Sequence, residues 1–436
     1  LWIVPARRSI HSTTVVSSSP ARSAITSPGS ESDNSMIVRM SGASVEPASS
    51  LEQRPASSAI PISGTTQWRG ELIAAVGTAG ELSQQARHGV TVGGTLGEMT
   101  PEQALLRVIH CLDRAHEGGF KAKAFTRALD VVRTTPADEL AARADAGTLT
   151  DLDGIGSSTA AVITDALAGR EPAYLAKIEA ESQVPITPEG QLDRNALRGD
   201  CHLHSTWSDG GAPIEAMAAT AMAIGHEYMV QTDHSARLTI AHGLNEERLA
   251  EQLDQIAAVN ADIAAAGHDF RILSGMEVDI LEDGLLDLAD DMLERLDVVV
   301  ASVHSKLRME RQQMTERMLM AVASPHVDIL GHCTGRMIGK RPPSEFDADY
   351  VFAACAQFNT AVEINCRPER LDPPRELLDV AIEYGCWFSI DSDAHATGQL
   401  EWQPLGCDRA AERQVPIDRI INTMGADDLL AWTHAT

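Results

Sequence analysis

The stretch RGDCHLHSTWSDG, residues 198–210, decides how the second half of this chain is read. His202 and His204 are two apart, and on a strand that spacing points both imidazoles to one face. The strand runs over 197–204 and ends on the pair, with Asp209 following in a Ser-Asp-Gly turn close enough to reach the same pocket. Taken alone, a His-x-His pair is more readily a loop-edge detail than a metal site.

The rest of the half changes that balance. His234 ends YMVQTDHS, Glu277 lies at the end of ILSGMEVD, His304 ends LDVVVASVHS, His332 ends VDILGHC, and Asp393 and His395 end WFSIDSDAH with the same period of two. Each short β-rich run finishes on a metal-ligand type, as functional residues do at the carboxyl ends of parallel strands in α/β barrels. Imidazoles and carboxylates without thiolate suit zinc or manganese, with iron a third option, at an open working site. The nine residues are enough for two to three divalent ions, the arrangement that phosphate-ester hydrolysis uses. His226, His242, His268 and His326 fall away from strand ends and are left out, His242 alone being near enough to His234 to support a ligand.

Seven apolar runs, near 197–204, 228–234, 271–279, 296–304, 327–332, 361–366 and 387–393, alternate with helical patterns near 213–225, 246–266, 286–294, 310–323, 347–357 and 374–384. That alternation indicates an α/β fold with a parallel sheet. Closure of the sheet is not contained in the pattern.

The motifs DCHLHSTWSDG, TDHS, GMEVDI, SVHS, LGH and SIDSDAH resemble the PHP (polymerase and histidinol phosphatase) superfamily from Leu197 to the C-terminus. The stretches SVHSKLRMERQQMTERMLMAVASPHVDILGHCTGRMIGKR and VEINCRPERLD are most similar to the PHP module of bacterial family X DNA polymerases. The resemblance implies a distorted seven-stranded, TIM-like (β/α)7 barrel with a trinuclear metal centre. It further implies one ion on His202, His204, Glu277 and Asp393, a second on Glu277, His304 and His332, and a third on Asp209, His234 and His395. The implied reaction is phosphate-ester hydrolysis by a hydroxide bridging the metals, whose bound water ionises near neutral pH. Glu277, His304 and Asp393 are the catalytic candidates, and Arg336 and Arg370, which follow strands that carry or neighbour ligands, are the favoured cations for the developing charge. Lys306 and Arg308 are weaker candidates of the same kind.

Upstream, Thr100-Pro101-Glu102 has the signature of a capped helix start. ALLRVIHCLDRA follows with helical spacing, Gly118-Gly119 breaks it, and FKAKAFTRALDVV begins the next helix. In LTDLDGIGSSTAAVITDAL, Gly154 and Gly156 make a tight turn whose following helix start offers free N–H groups to an anion. Residues 100–182 are similar to the N-terminal helix-hairpin-helix domain of family X polymerases, with Lys121, Lys123, Arg127, Gly154 and Gly156 as weak DNA or phosphate contacts. Ser158 and Val162 stand where that family has its phosphate-binding and Schiff-base lysines, which places lyase chemistry in doubt. Residues 183–196 read as a linker to the PHP module at 197–436. That is too short for a polymerase palm, so the expectation is a hydrolase and not a template-directed polymerase.

Residues 1–65 are rich in Ser, Ala and Pro and read as a disordered tail. They are either a start assigned too early or a transit peptide; 66–99 read as an uncertain linker with one weak helical stretch. Across 436 residues the net charge is −27. Seven basic and seven acidic residues balance in 1–100, nine against fourteen leave −5 in 101–190, and the remaining −22 falls on the ligand-bearing half. A nucleic-acid footprint is basic, so the charge favours small phosphomonoesters or short single strands over duplex DNA, whereas the hairpin favours DNA ends, as a 3′–5′ exonuclease or end phosphatase. The alternative is a non-catalytic DNA-binding or repair scaffold with structural metals. Seven scattered cysteines without a CxxC pair read as reduced thiols of a cytoplasmic protein, and no apolar run is long enough to span a membrane. The pattern leaves the oligomeric state open.

Overall fold

The structure, a computed structural model, describes residues 99–117 and 119–434. The tail expected over 1–65 and residues 66–98 lie outside them.

Five helices come first: α1 (Pro101–Arg114), α2 (Phe120–Thr134), α3 (Ala137–Ala146), α4 (Ser157–Leu167) and α5 (Ala173–Glu181). The expected cap at α1 is present. Thr100 Oγ1 accepts from the Gln103 N–H, and the Gln103 side chain accepts from the Thr100 N–H, which satisfies two of the helix's orphan donors. Leu105, Leu112, Phe125, Ile163 and Leu175 bury their side chains in a core these helices share. Gly154 turns the chain before α4 at φ +94°, and a Cβ there would stand 3.1 Å from Val131 Cγ2. The residues expected to be a linker instead contain α6 (Pro188–Ala196). This helix docks on the barrel, with Thr187 donating to Asp408 Oδ1 through both its N–H and its hydroxyl. Its start explains the difference: a Thr cap followed by Pro188 at the first position is a helix signal.

The barrel strands are β1 (Gly199–Leu203), β2 (Tyr228–Gln231), β3 (Arg271–Asp279), β4 (Val298–Ser302), β5 (Ile329–Leu330), β6 (Ala361–Asn365) and β7 (Phe388–Asp391). All six neighbouring pairs are parallel, in the order β1 to β7. The seam between β1 and β7 is bridged at Leu203 and Ala394, where the His204 N–H donates to the Ala394 carbonyl at 2.8 Å. The sheet is therefore a nearly closed, TIM-like barrel. Most strands are buried at every residue, as expected of parallel strands covered on both faces.

The outer layer comprises α7 (Ile214–Ala223), α8 (Glu246–Ala265), α9 (Asp290–Leu293), α10 (Arg311–Val322), α11 (Ala348–Phe358), α12 (Arg375–Glu383), α13 (Gln403–Arg413) and α14 (Ala426–Thr433). The helix expected near 286–294 is shorter than its pattern. Its first residues are drawn into an antiparallel bridge between Ile280 and Leu286 around Gly284, at φ +84°. Among the described residues no helix is long and apolar enough to cross a membrane.

Just before β5, the Asp328 carboxylate accepts the Val299 N–H at 2.8 Å. Burial pushes its pKa up from 3.8 to about 8, against the pull of that hydrogen bond. The folded state therefore resists ionisation that the unfolded chain allows, and stability is lost as pH rises from about 4 to about 8. Asp328→Asn, which keeps an acceptor, is expected to raise the melting temperature, by more at pH 8 than at pH 5. An equal shift at both pH values in a thermal melt would contradict this.

Candidate metal centre

The strand ends deliver the candidate residues to one mouth. His202 and Glu277 lie within β1 and β3, and the others lie just beyond strands. His204 follows β1, His234 β2, His304 β4 and His332 β5, while Asp393 and His395 follow β7. Asp209 comes from the loop after β1. That loop is pinned by the buried Asp233, which accepts from the Ser205 N–H at 2.9 Å, the Ser205 hydroxyl at 2.7 Å and the Ser208 hydroxyl at 2.5 Å. Gln231 and Gln252 amides close the same carboxylate from behind.

Glu277 is the centre of the bowl. Its Oε1 lies 2.8 Å from His332 Nε2 and 3.1 Å from His304 Nε2. Its Oε2 lies 2.9 Å from His234 Nδ1, 3.3 Å from His202 Nε2 and 3.5 Å from His204 Nε2. Asp393 Oδ1 stands 3.4 Å from His204 Nε2, and Asp209 Oδ1 stands 3.4 Å from His395 Nε2 and 3.6 Å from His234 Nε2. Three groups have donor atoms all within 4.8 Å of one another: His204, Asp209, His234 and His395; His202, His204 and Glu277; and His234, Glu277 and His304. His234 thus touches both the Glu277 and the Asp209 sides. His304 and His332 both lie beside Glu277 Oε1, and among the described residues neither His332 nor Asp393 falls in one of these three groups.

These residues fit divalent ions on two counts. Donors sharing an ion at about 2.0–2.2 Å stand roughly 3–3.5 Å apart, which is the spacing found. In addition, both Glu277 oxygens, both nitrogens of His204 and of His304, and His202 Nε2 are buried without a hydrogen-bond partner. Buried polar atoms are ordinarily paired, so close atoms that fail to hydrogen-bond one another are directed at shared space. Among the described residues no cysteine joins these groups. All seven cysteines are free and buried, Cys201 and Cys333 included.

The electrostatics are those of a site that expects positive charge. Burial opposes ionisation of Glu277, but His304, His202, His234 and His332 overcome it and hold the carboxyl well below its ordinary range. Burial disfavours the charged ring of His304, yet Glu277 and Asp279 raise its pKa to about 9. Burial and then Arg370 lower His332 to about 3. Burial, His395 and His234 likewise push His204 well below its usual value.

Several residues of the site escaped the sequence reading. Glu363, wholly buried within β6, lies 2.6 Å from His202 Nδ1 and accepts the His332 N–H. Asn365, on the same face, donates to Asp393 Oδ2 at 3.0 Å. Asp279 accepts the His304 N–H at 3.1 Å. The available signal was an acid and an amide at period two in the otherwise apolar AVEIN. Arg367 was missed as well: its Nη1 lies 3.0 Å from His395 Nδ1 and 3.4 Å from Asp393 Oδ1.

The cation candidates separate. Arg370 Nε lies 3.2 Å from Asp393 Oδ2, and its Nε and Nη1 are buried without hydrogen bonds. Arg336 donates from Nε and Nη2 to the carbonyls of Arg370 and Leu371. Lys306 is mostly exposed, 3.9 Å from Glu282, and Arg308 and His242 are exposed. In the helical part Lys121 pairs with Glu117 at 2.5 Å, while Lys123 and Arg127 are exposed. Lys121 and Gly156 line a cavity of about 420 Å³ that Glu117 and Glu181 share, which offsets its lysines.

A TIM-like barrel with imidazoles and carboxylates gathered at its carboxyl-end mouth is an architecture suited to holding divalent ions. The profile of the PHP domain matches residues 200–365, so the barrel carries a PHP domain. The chain is 39% identical over 241 residues to the DNA polymerase/3′-5′ exonuclease PolX of Bacillus subtilis, covering 55% of this chain and 42% of that protein. It is 28% identical over 213 residues to a probable phosphatase of Aliivibrio fischeri, covering 46% of this chain and 78% of that protein. A probable phosphatase of Thermoanaerobacter sp. is 28% identical over 214 residues, covering 45% and 79%. Together with the clustered donors, these relatives support a metal-dependent phosphoesterase.

Carboxylates that orient ligating imidazoles typically change metal affinity about 10- to 100-fold when removed. Glu363→Gln is therefore expected to weaken manganese binding within that range, measured by calorimetry. Wild-type affinity would exclude Glu363 from the support of the centre.

Proposed function

We propose that the chain hydrolyses phosphate esters at a centre of two to three divalent ions, zinc or manganese, with iron a third option. The observation that carries this reading is Glu277, a buried carboxylate ringed by five imidazole nitrogens within 3.5 Å, with neither oxygen hydrogen-bonded. His202, His204, Glu277 and Asp393 would hold one ion, Glu277, His304 and His332 a second, and Asp209, His234 and His395 a third. Ions bound there would lower the pKa of water toward about 7 and neutralise charge on a phosphoryl group.

The remaining chemistry belongs to the chain. Glu363 fixes the His202 ring, and Asp279 fixes the backbone entry of His304, so both present a set nitrogen to the mouth. Arg370 holds two buried, unbonded nitrogens beside Asp393, a placement suited to phosphoryl oxygens whose charge grows along the reaction. Asp393 sits at φ +51°, a strained backbone for a residue with a Cβ. Strain of this kind collects at functional sites.

The acidic character of the ligand-bearing half supports small phosphomonoesters. A second substrate, a DNA end taken by an exonuclease or end phosphatase, is supported by the similarity to PolX and by the helical part joined to the barrel. That part we read as helix-hairpin-helix derived, with Lys121, Lys123, Arg127, Gly154 and Gly156 as its DNA-facing positions. The competing scaffold reading predicts tight binding to gapped DNA and no cleavage with any metal. Glu277→Ala is expected to reduce hydrolysis of p-nitrophenyl phosphate in manganese by at least about 10³-fold, the scale of losing a principal electrostatic group. Unchanged turnover in this variant would end the proposal, and single-stranded and recessed DNA ends run in parallel discriminate between the two substrates.

A further inference from the structure

The end of α1 reaches the metal bowl through a short relay of side chains. The helix closes with the Glu117 N–H donating to the Leu112 carbonyl and the His116 N–H donating to the Asp113 carbonyl. This is a Schellman closure, in which glycine is the usual residue at the left-handed position. Here that position is His116, at φ +56°. A residue with a Cβ is disfavoured there, so its side chain invites an explanation.

The imidazole packs edge-on against Trp402 with ring centroids 5.6 Å apart, and its Nε2 lies 3.5 Å from Glu369 Oε2. Glu369 Oε2 is buried and has no hydrogen bond. The other oxygen, Oε1, accepts from Arg367 Nε at 3.2 Å and Nη2 at 3.0 Å. Arg367 Nη1 in turn faces His395 and Asp393. The platform beneath the relay is firm. Trp402 Nε1 donates to the Arg114 carbonyl at 2.9 Å, and Glu401 pairs with Arg114 at 2.8 Å and His110 at 2.6 Å. Gly398 lets the His110 carbonyl approach where any Cβ would collide.

We infer that His116 is a positioning residue through which the helices before the barrel set Arg367, and through Arg367 the ligands Asp393 and His395. This rests on the metal-centre reading above. Arginine is long and flexible, and Glu369 Oε1, which accepts from both Nε and Nη2, helps to aim Nη1 at Asp393 and His395. His116 Nε2, 3.5 Å away, faces the second oxygen of Glu369 and so restricts the turning of that carboxylate.

The left-handed position supplies a clean test, because His116→Gly removes the ring and relieves the backbone. Manganese binding to the full chain is measured by calorimetry with manganese chloride, for wild type, His116→Gly, Glu369→Gln and the double variant, together with melting temperatures. The expected result for His116→Gly is an unchanged or higher melting temperature and manganese affinity about threefold to tenfold weaker. The same substitution made in the Glu369→Gln background should bring no further loss, the non-additivity of coupled residues. Should Glu369→Gln fail to fold, Arg367→Lys takes its place in the cycle. Wild-type affinity in His116→Gly, or an equal loss in both backgrounds, would overturn the relay. Because binding is read without turnover, a chain that binds manganese but hydrolyses no phosphate ester would sink the proposed function and leave the relay standing.

Discussion

The central constraint is the burial of one carboxylate. Glu277 is withdrawn from water near the carboxyl end of β3 and meets five imidazole rings, none of which gives it a hydrogen bond. An uncompensated buried charge is among the most destabilising features a fold can hold. Compensation must come from positive charge at the same place, either protons on the rings or cations between them. The strands ending at one mouth, the Asp233 network that pins the first loop and the Glu363 bridge between His202 and His332 all fix donors around that point.

The barrel was largely legible because each strand of a covered parallel sheet is a short apolar run, and six of the seven runs here stop on a ligand type. The seven strands and most outer helices fall where those runs and periodicities place them. What the pattern lacked was closure. The joining of β1 to β7 depends on a single backbone bridge and on side-chain bonds such as Asp391 accepting the Cys201 N–H at 2.8 Å. No local signal carries a contact 190 residues apart in the chain.

The site was legible at its donors and opaque behind them. Histidines at strand ends are conspicuous, whereas Glu363 and Asn365 sit inside a strand and Asp233 beside a histidine that drew the attention. Arg336 and Arg367 both follow ligand-bearing or neighbouring strands, and only side-chain direction distinguishes Arg336, which donates to the carbonyls of Arg370 and Leu371, from Arg367, which faces Asp393. The residues expected to be a linker were misread because a capped helix of nine residues is brief beside the periodic signals around it.

The seam at Leu203 and Ala394 carries a consequence for biosynthesis. His202 and His204 emerge early in the barrel, but Asp393 and His395 reach the ribosome exit only after every other strand has been made. Such distant pairings form late, since the loop entropy of the whole barrel opposes them. A nascent chain therefore carries an incomplete set of donors until its synthesis ends, and the full set is gathered only once its first and last strands have met.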